Sequence, residues 1–201
     1  MKSERSNNSD YLSILRKTLS VTGNNNFIES LINNCVPMVL EKNETLIRYQ
    51  EDNKKMFFIV SGSFVRNIIS SKGEAKTIMF HTENFHEFMK AYDTIYFHEK
   101  TNYEIKANEK SVVLSFDYNY MHQLVRGNLD TMLYFTQKTE ELLKTLDVFR
   151  NFQLALTSEE YLIWLYDHYT FLFQRFPAQN IASFMGITPV WLSKLKAKFI
   201  S

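Results

Sequence analysis

Apolar residues along this 201-residue chain recur in three rhythms, and each change of rhythm marks a change of element. Up to residue 35 the spacing is helical. Asp10 stands where a cap would open a short helix carrying Leu12, Leu15 and Leu19, with residues 1–9 polar and frayed. After the loop Gly23-Asn24-Asn25-Asn26, residues 27–35 form a second helix on Phe27, Leu31, Ile32 and Cys35, which Val36-Pro37 ends. From residue 38 to 116 the pattern shortens into strands at 38–40, 45–49, 56–60, 64–69, 75–81, 103–107 and 112–116. β-branched and aromatic residues dominate them, and turns such as Ser61-Gly62-Ser63 and Ser70-Ser71-Lys72-Gly73 separate them. Seven strands so spaced suit a small barrel or sandwich rather than βαβ units.

Residues 118–152 return to helical spacing as one long helix. Its clearest seam is Val125, Met132, Phe135, Thr139, Leu142, Leu146 and Phe149, stepping 3, 4, 3, 4, 3 from Met132, which is a heptad rhythm suited to pairing with a second copy. Leu129, Leu133 and Leu143 form a second stripe able to rest on the barrel, and a single amphipathic helix packed on its own core fits the periodicity equally well. Thr157 and Glu160 are spaced as a capping box. The helix they open carries Tyr161, Leu162, Leu165, Tyr169 and Leu172.

The last stretch, 177–199, holds two start signals and a stop in order. Pro177 can open a helix, Gly186 suits a left-handed stop, and Thr188-Pro189 supplies a cap and a fixed first φ. Ile181 and Met185 share a face of the first helix; Leu192, Leu195 and Phe199 share one on the second, with Ile187 between and Ala182 allowing a close crossing. This is a helix-turn-helix, whose second helix can enter the DNA major groove, or else an ordinary helical hairpin closing a core. Outward positions on the second helix are Val190, Ser193, Lys194 and Ala197, flanked by Lys196 and Lys198. Thr188 stands at the helix start. Trp191, one position off that face, reads as a packing anchor.

Charge favours the DNA reading. From His168 to Ser201 there is no Asp or Glu, while Arg175, Lys194, Lys196 and Lys198 supply four cations, leaving −3 for the rest of a chain whose net charge is +1. A single cysteine, Cys35, excludes an intrachain disulfide and cysteine-ligated metal clusters. No signal peptide or membrane-length apolar run is present, so a cytoplasmic protein with no membrane partner is expected. The histidines never fall at i, i+4, the five glycines are isolated, and no nucleophile elbow occurs. No catalytic residue, metal or cofactor is expected, and the chain reads as a non-enzyme.

The segments Phe58-Ile59-Val60-Ser61-Gly62-Ser63-Phe64-Val65-Arg66, Thr157-Ser158-Glu159-Glu160-Tyr161, Gln174-Arg175-Phe176-Pro177 and Ile181 to Pro189 resemble the Crp/Fnr superfamily of bacterial transcription regulators, in the version common in Bacteroidetes, over about residues 36–201. The resemblance implies an α+β fold. Residues 1–117 would form a cyclic nucleotide-binding-like β-roll (jelly-roll) sensor with N-terminal helices, 118–152 a long dimerisation helix, and 153–201 a helix-turn-helix DNA-binding domain. It implies a homodimer on double-stranded DNA with an inverted repeat, DNA contacts from Thr188, Val190, Ser193, Lys194, Lys196, Lys198 and Arg175, and a small-molecule effector of unknown identity. Some relatives of this fold sense gases through a histidine-ligated haem, which stays open here.

Two departures stand out. Members that bind cyclic AMP carry Gly-Glu and, about a dozen residues later, Arg-Ser; here the stretch reads Phe85-His86-Glu87-Phe88 and then Thr101-Asn102. Glu87 matches the glutamate, but His86 replaces the glycine and Thr101 stands where the arginine is wanted. Phe85, Glu87, Thr101 and Asn102 remain the candidate ligand residues, without ordinary cyclic AMP binding; aromatics crowding the barrel would favour an apolar or aromatic effector. On the reading helix, Val190 and Lys194 replace an acid and an arginine, implying a different operator. The alternative is a sensor or scaffold module that binds a protein partner or small effector and not DNA.

Overall fold

The computed structural model describes residues 2–199, with side chains from Asp10 onward. Helix α1 (Lys2–Leu19) runs through Asp10, so the helix begins before the residue expected to open it. A 3-10 turn (Ser20–Thr22) leads to α2 (Asn25–Asn34), where Asn24 accepts the Phe27 N–H at 3.0 Å. The strands are β1 (Val36–Leu40), β2 (Thr45–Ile47), β3 (Lys55–Ser61), β4 (Ser63–Ile69), β5 (Ala75–Thr82), β6 (Phe88–Lys90), β7 (Tyr103–Ala107) and β8 (Ser111–Asp117). Seven follow the sequence pattern. The eighth, β6, is three residues long and too short to leave a periodic signal.

All pairings are antiparallel, in two sheets ordered β1-β8-β3-β6 and β2-β7-β4-β5. Between them lies a core that includes Phe57, Ile59, Phe64, Met89, Ile105 and Val113. The opposite face of β3 and β8, with Met56, Phe58, Val60 and Leu114, packs on α1, α2 and α3 (Tyr118–Arg126). β3 is thus buried on both faces, which explains its unbroken apolar run. Gly62 joins β3 to β4 at φ 106°, where a Cβ would lie 2.7 Å from Ser111 Cα, so only glycine fits.

Residues 118–152 are two helices, not one. Asn128 turns the chain after Gly127 and accepts the Thr131 N–H at 2.9 Å, opening α4 (Leu129–Ala155). The capping box of Thr157 and Glu160 opens α5 (Ser158–His168). The expected continuation to Leu172 breaks at Tyr169 (φ −137°, ψ 43°), and α6 (Thr170–Arg175) follows. Then come α7 (Ala178–Met185), stopped by Gly186 at φ 72°, and α8 (Pro189–Phe199), capped by the Thr188 hydroxyl, which accepts the Trp191 N–H at 3.2 Å. Pro177 occupies the N-cap of α7 rather than its first turn. Among the described residues no helix is long and apolar enough to cross a membrane, and no group of three or more His, Cys, Asp or Glu is placed to hold a metal.

Candidate functional site

Two regions gather the chemistry-bearing residues. The first is the turn between α7 and α8. Ile181, Ala182, Leu192 and Leu195 are buried there with Leu162 and Leu165 of α5, so both helices rest on a shared apolar support. That burial leaves Thr188, Val190, Ser193, Lys194, Ala197 and Lys198 exposed on α8, as the spacing predicts. Lys196 is half-buried, its ammonium 5.7 Å from the Phe173 ring centroid; Lys198 lies 3.7 Å from Glu159. Trp191 corrects the sequence reading. It is 42% exposed and Val190 68%, so the tryptophan stands outward beside the valine instead of anchoring the core.

Arg175 also departs from expectation. Its Nε donates to Glu109 Oε1 at 2.8 Å and one terminal nitrogen to Glu83 Oε1 at 2.7 Å, with the side chain 28% exposed. Asn108 Nδ2 donates to the Arg175 carbonyl at 3.0 Å, and the Thr77 N–H donates to Ser183 Oγ at 3.0 Å. Phe80 of β5 meets Phe176 and Phe184 at 4.6 and 5.1 Å between ring centroids. Arg175 is therefore a clamp that seats α7 on the β-roll, not a cation open to phosphate. Its acids lie 92 and 66 residues away in sequence, beyond any local signal. It is α7 that faces the sheet, packed on β5, and α8 packs on α7 and α5.

The second region is a cavity of about 330 Å³ between β6, α3 and α4. Met56, Phe88, Met121, Val125 and Phe135 line its apolar part. Lys90 enters it with its ammonium 5.0–5.4 Å from the ring centroids of Tyr92, Tyr96 and Tyr118, donating to Tyr96 Oη at 2.7 Å. Of the four sequence-selected ligand residues only Glu87 lines this cavity, and Lys138 of α4 already pairs with it at 3.1 Å while also reaching Glu141 at 3.4 Å. Phe85 turns towards Tyr169 and Phe171, 5.8 and 5.1 Å between centroids. Thr101 is fully buried, its hydroxyl donating to the Glu51 carbonyl at 2.8 Å, and the Asn102 N–H donates to Asp93 Oδ2 at 3.0 Å. Phe85 and Thr101 thus belong to the fold around the site rather than to its wall, and Asn102 is exposed outside that wall.

Arg66, which the sequence reading quotes only within a motif, lies buried inside the β-roll. Its guanidinium sits 5.3 and 4.9 Å from the Tyr92 and Tyr103 ring centroids and 3.4 Å from His81 Nε2, and its Nε has no hydrogen-bond partner. Burial, and then the neighbouring Arg66 charge, push His81 well below the usual histidine range. His86 (φ 54°) bridges the roll to α4: His81 Nδ1 donates to its carbonyl at 2.9 Å, and its Nε2 is 3.0 Å from Thr145 Oγ1. Burial lowers its pKa to about 4.

The heptad seam on α4 turns inward along most of its length. Phe135 packs edge-on to Phe27 and Phe88, Leu142 and Phe149 are buried, and Leu146 packs against the same cluster; Met132 and Thr139 stay exposed. The stripe expected to rest on the barrel, Leu129, Leu133 and Leu143, is instead exposed, Leu143 at 65%. Most of the expected seam is thus covered within the protomer, and the second stripe is bare.

No protein-family model matches the sequence, and no curated protein matches it. Solved structures do. FixK2 from Bradyrhizobium japonicum superposes with a TM-score of 0.67 over 83% of this chain and 84% of its own, at 12% identity. The c-di-GMP-responsive global regulator CLP of Xanthomonas campestris gives 0.68 over 88% and 92%, at 11% identity. A CooA mutant from Carboxydothermus hydrogenoformans gives 0.67 over 86% and 78%, at 15% identity. With two four-stranded sheets, a long helix and a terminal helix-turn-helix in the same order, this chain has the fold of the Crp/Fnr regulators.

Proposed function

We propose that the chain is a DNA-binding transcription regulator that works as a homodimer and reads an inverted repeat with α8. The observation that carries this is the acid-free reading helix: Lys194 and its neighbours face outward from a support that is itself fully packed. The exposed stripe Leu129, Leu133 and Leu143, joined by Thr136 and Glu140, follows 4, 3, 4, 3 spacing and supplies the surface for a second copy. A two-fold axis along α4 would set the reading helices ~34 Å apart, one turn of DNA.

The cavity beside α4 is the place for an effector. Its apolar wall suits an apolar or aromatic body, and Lys90 suits a negative group on it. Cyclic AMP is not expected to fit in the ordinary way, because Thr101 spends its hydroxyl on Glu51 and Tyr92 and Tyr103 cover Arg66. A micromolar dissociation constant for cyclic AMP by calorimetry would overturn that part. For the regulator itself the test is selection of duplexes from a random pool. Enrichment of an inverted repeat with half-sites about ten base pairs apart is expected; a pool that stays random would leave a sensor or scaffold module in its place.

A further inference from the structure

The first turn of α8 presents a chemistry that narrows what it can read. Recognition helices reach base edges mainly with their N-terminal residues. Here those are Pro189, Val190 and Trp191, all exposed, while Leu192 is buried. Among the described residues Trp191 makes no aromatic contact, so nothing in the protomer accounts for the exposure of a tryptophan beside a valine. The helix also lacks most hydrogen-bonding readers. From Ile187 to Ser201 there is no Arg, Asn, Gln, Asp or Glu. Bidentate recognition of adenine by an amide, or of cytosine by a carboxylate, is therefore outside its repertoire. The Thr188 hydroxyl accepts the Trp191 N–H, and the O–H it has left to donate, like that of the exposed Ser193, fits any base edge and so discriminates little. Lys194, more than a turn further on, can reach a guanine or a phosphate. What remains at the tip is apolar surface, and the apolar group on the major-groove edges is the C5-methyl of thymine.

We infer that Val190 and Trp191 are specificity-determining residues that read thymine methyl groups, so that each operator half-site carries thymines where the first turn of α8 enters the groove. This rests on the regulator reading above. DNA rather than a protein partner is the occupant because Lys194 stands exposed on the same helix, which carries no acid of its own to oppose a phosphate backbone, and only Lys198 of its lysines lies near an acid, Glu159 of α5, among the described residues.

The test uses the full chain and the duplex selected from the random pool. Each thymine in turn is replaced by deoxyuridine, which keeps the base pair and removes one methyl, and affinity is measured at fixed salt. Loss of about fourfold per contacted methyl is expected for the wild-type protein, the worth of one buried methyl-sized group. With Val190→Ala or Trp191→Ala that loss should vanish at the matching thymine; thermal unfolding stays unchanged for Val190→Ala, whose side chain is 68% exposed, so that variant separates loss of methyl reading from loss of fold. A duplex that is bound but indifferent to uracil at every position would overturn methyl reading and leave the regulator reading standing. Failure to bind any duplex would overturn both, and capture of a protein by the Val190–Trp191 tip under those conditions would name the other occupant.

Discussion

Replacing Arg175 by Gln separates two roles that the same cation could play. As a clamp, Arg175 bonds Glu109 at 2.8 Å and Glu83 at 2.7 Å, and the second oxygen of Glu83 is buried with no partner of its own. A charge-assisted hydrogen bond in the interior contributes about 1.5–3 kcal/mol, and a fully exposed ion pair about 0–1 kcal/mol. With Arg175 and Glu83 each 28% exposed and Glu109 40%, the pairs fall between those limits. The three groups together then contribute about 2–3 kcal/mol. For a chain of this length that lowers the thermal midpoint by about 5–10 °C. A double-mutant cycle of Arg175→Gln with Glu83→Gln should return a coupling of about 1 kcal/mol or more. The DNA side of the experiment is a titration of affinity against salt. A clamp leaves the slope of log affinity on log salt where it was, whereas losing a phosphate contact reduces its magnitude by about 0.9 for each site. An unchanged midpoint with a flatter slope would refute the clamp and restore Arg175 to the phosphate contacts.

Three further outcomes follow from the geometry. Lys194→Ala should weaken binding to the selected duplex by about tenfold or more and flatten the salt slope, whereas Lys196→Ala, whose ammonium rests over Phe173, should change the slope less; both are read by fluorescence anisotropy across a salt series. Leu143→Asp should dissociate the proposed homodimer in sedimentation experiments with little change in the stability of the protomer. Leu142→Ala should do the reverse, costing about 2–5 kcal/mol, since Leu142 is buried and Leu143 is not. His86 titrates near 4 in the fold because of burial; the nearby Glu141 opposes that shift, and Lys138 and Arg66 add to it. Unfolded chain takes up a proton as pH drops below about 6.5 while the folded chain does not until about 4, so this contribution is complete above pH 6.5 and is lost between 6.5 and 4. The partly exposed ring contributes about 2 kcal/mol, and His86→Gln should flatten the fall in denaturant midpoint over that interval by a like amount.

The features legible in the sequence are those decided within a few residues. Thr157 with Glu160, Thr188 before Pro189 and Gly186 at φ 72° each fix one helix end through a local bond or a backbone preference, and each stands where the sequence puts it. The misread features depend on distant partners. Both stripes of α4 are apolar, so periodicity alone cannot say which faces the roll; Phe27 and Phe88 decide it by receiving Phe135, and they come from α2 and β6. Tyr169 breaks a helix whose apolar spacing continues across the break. Arg175 counts as a free cation in any census of residues 168–201, yet its charge is spent on Glu83 and Glu109. Withdrawing it leaves three lysines as the cations of that segment, with Lys196 half-buried and Lys198 near Glu159. The non-specific electrostatic attraction from this segment is then small, since each phosphate contact adds only its own increment to the salt slope. If α8 reads DNA as proposed, discrimination between sequences has to come from its first turn, where the exposed surface is that of Val190 and Trp191.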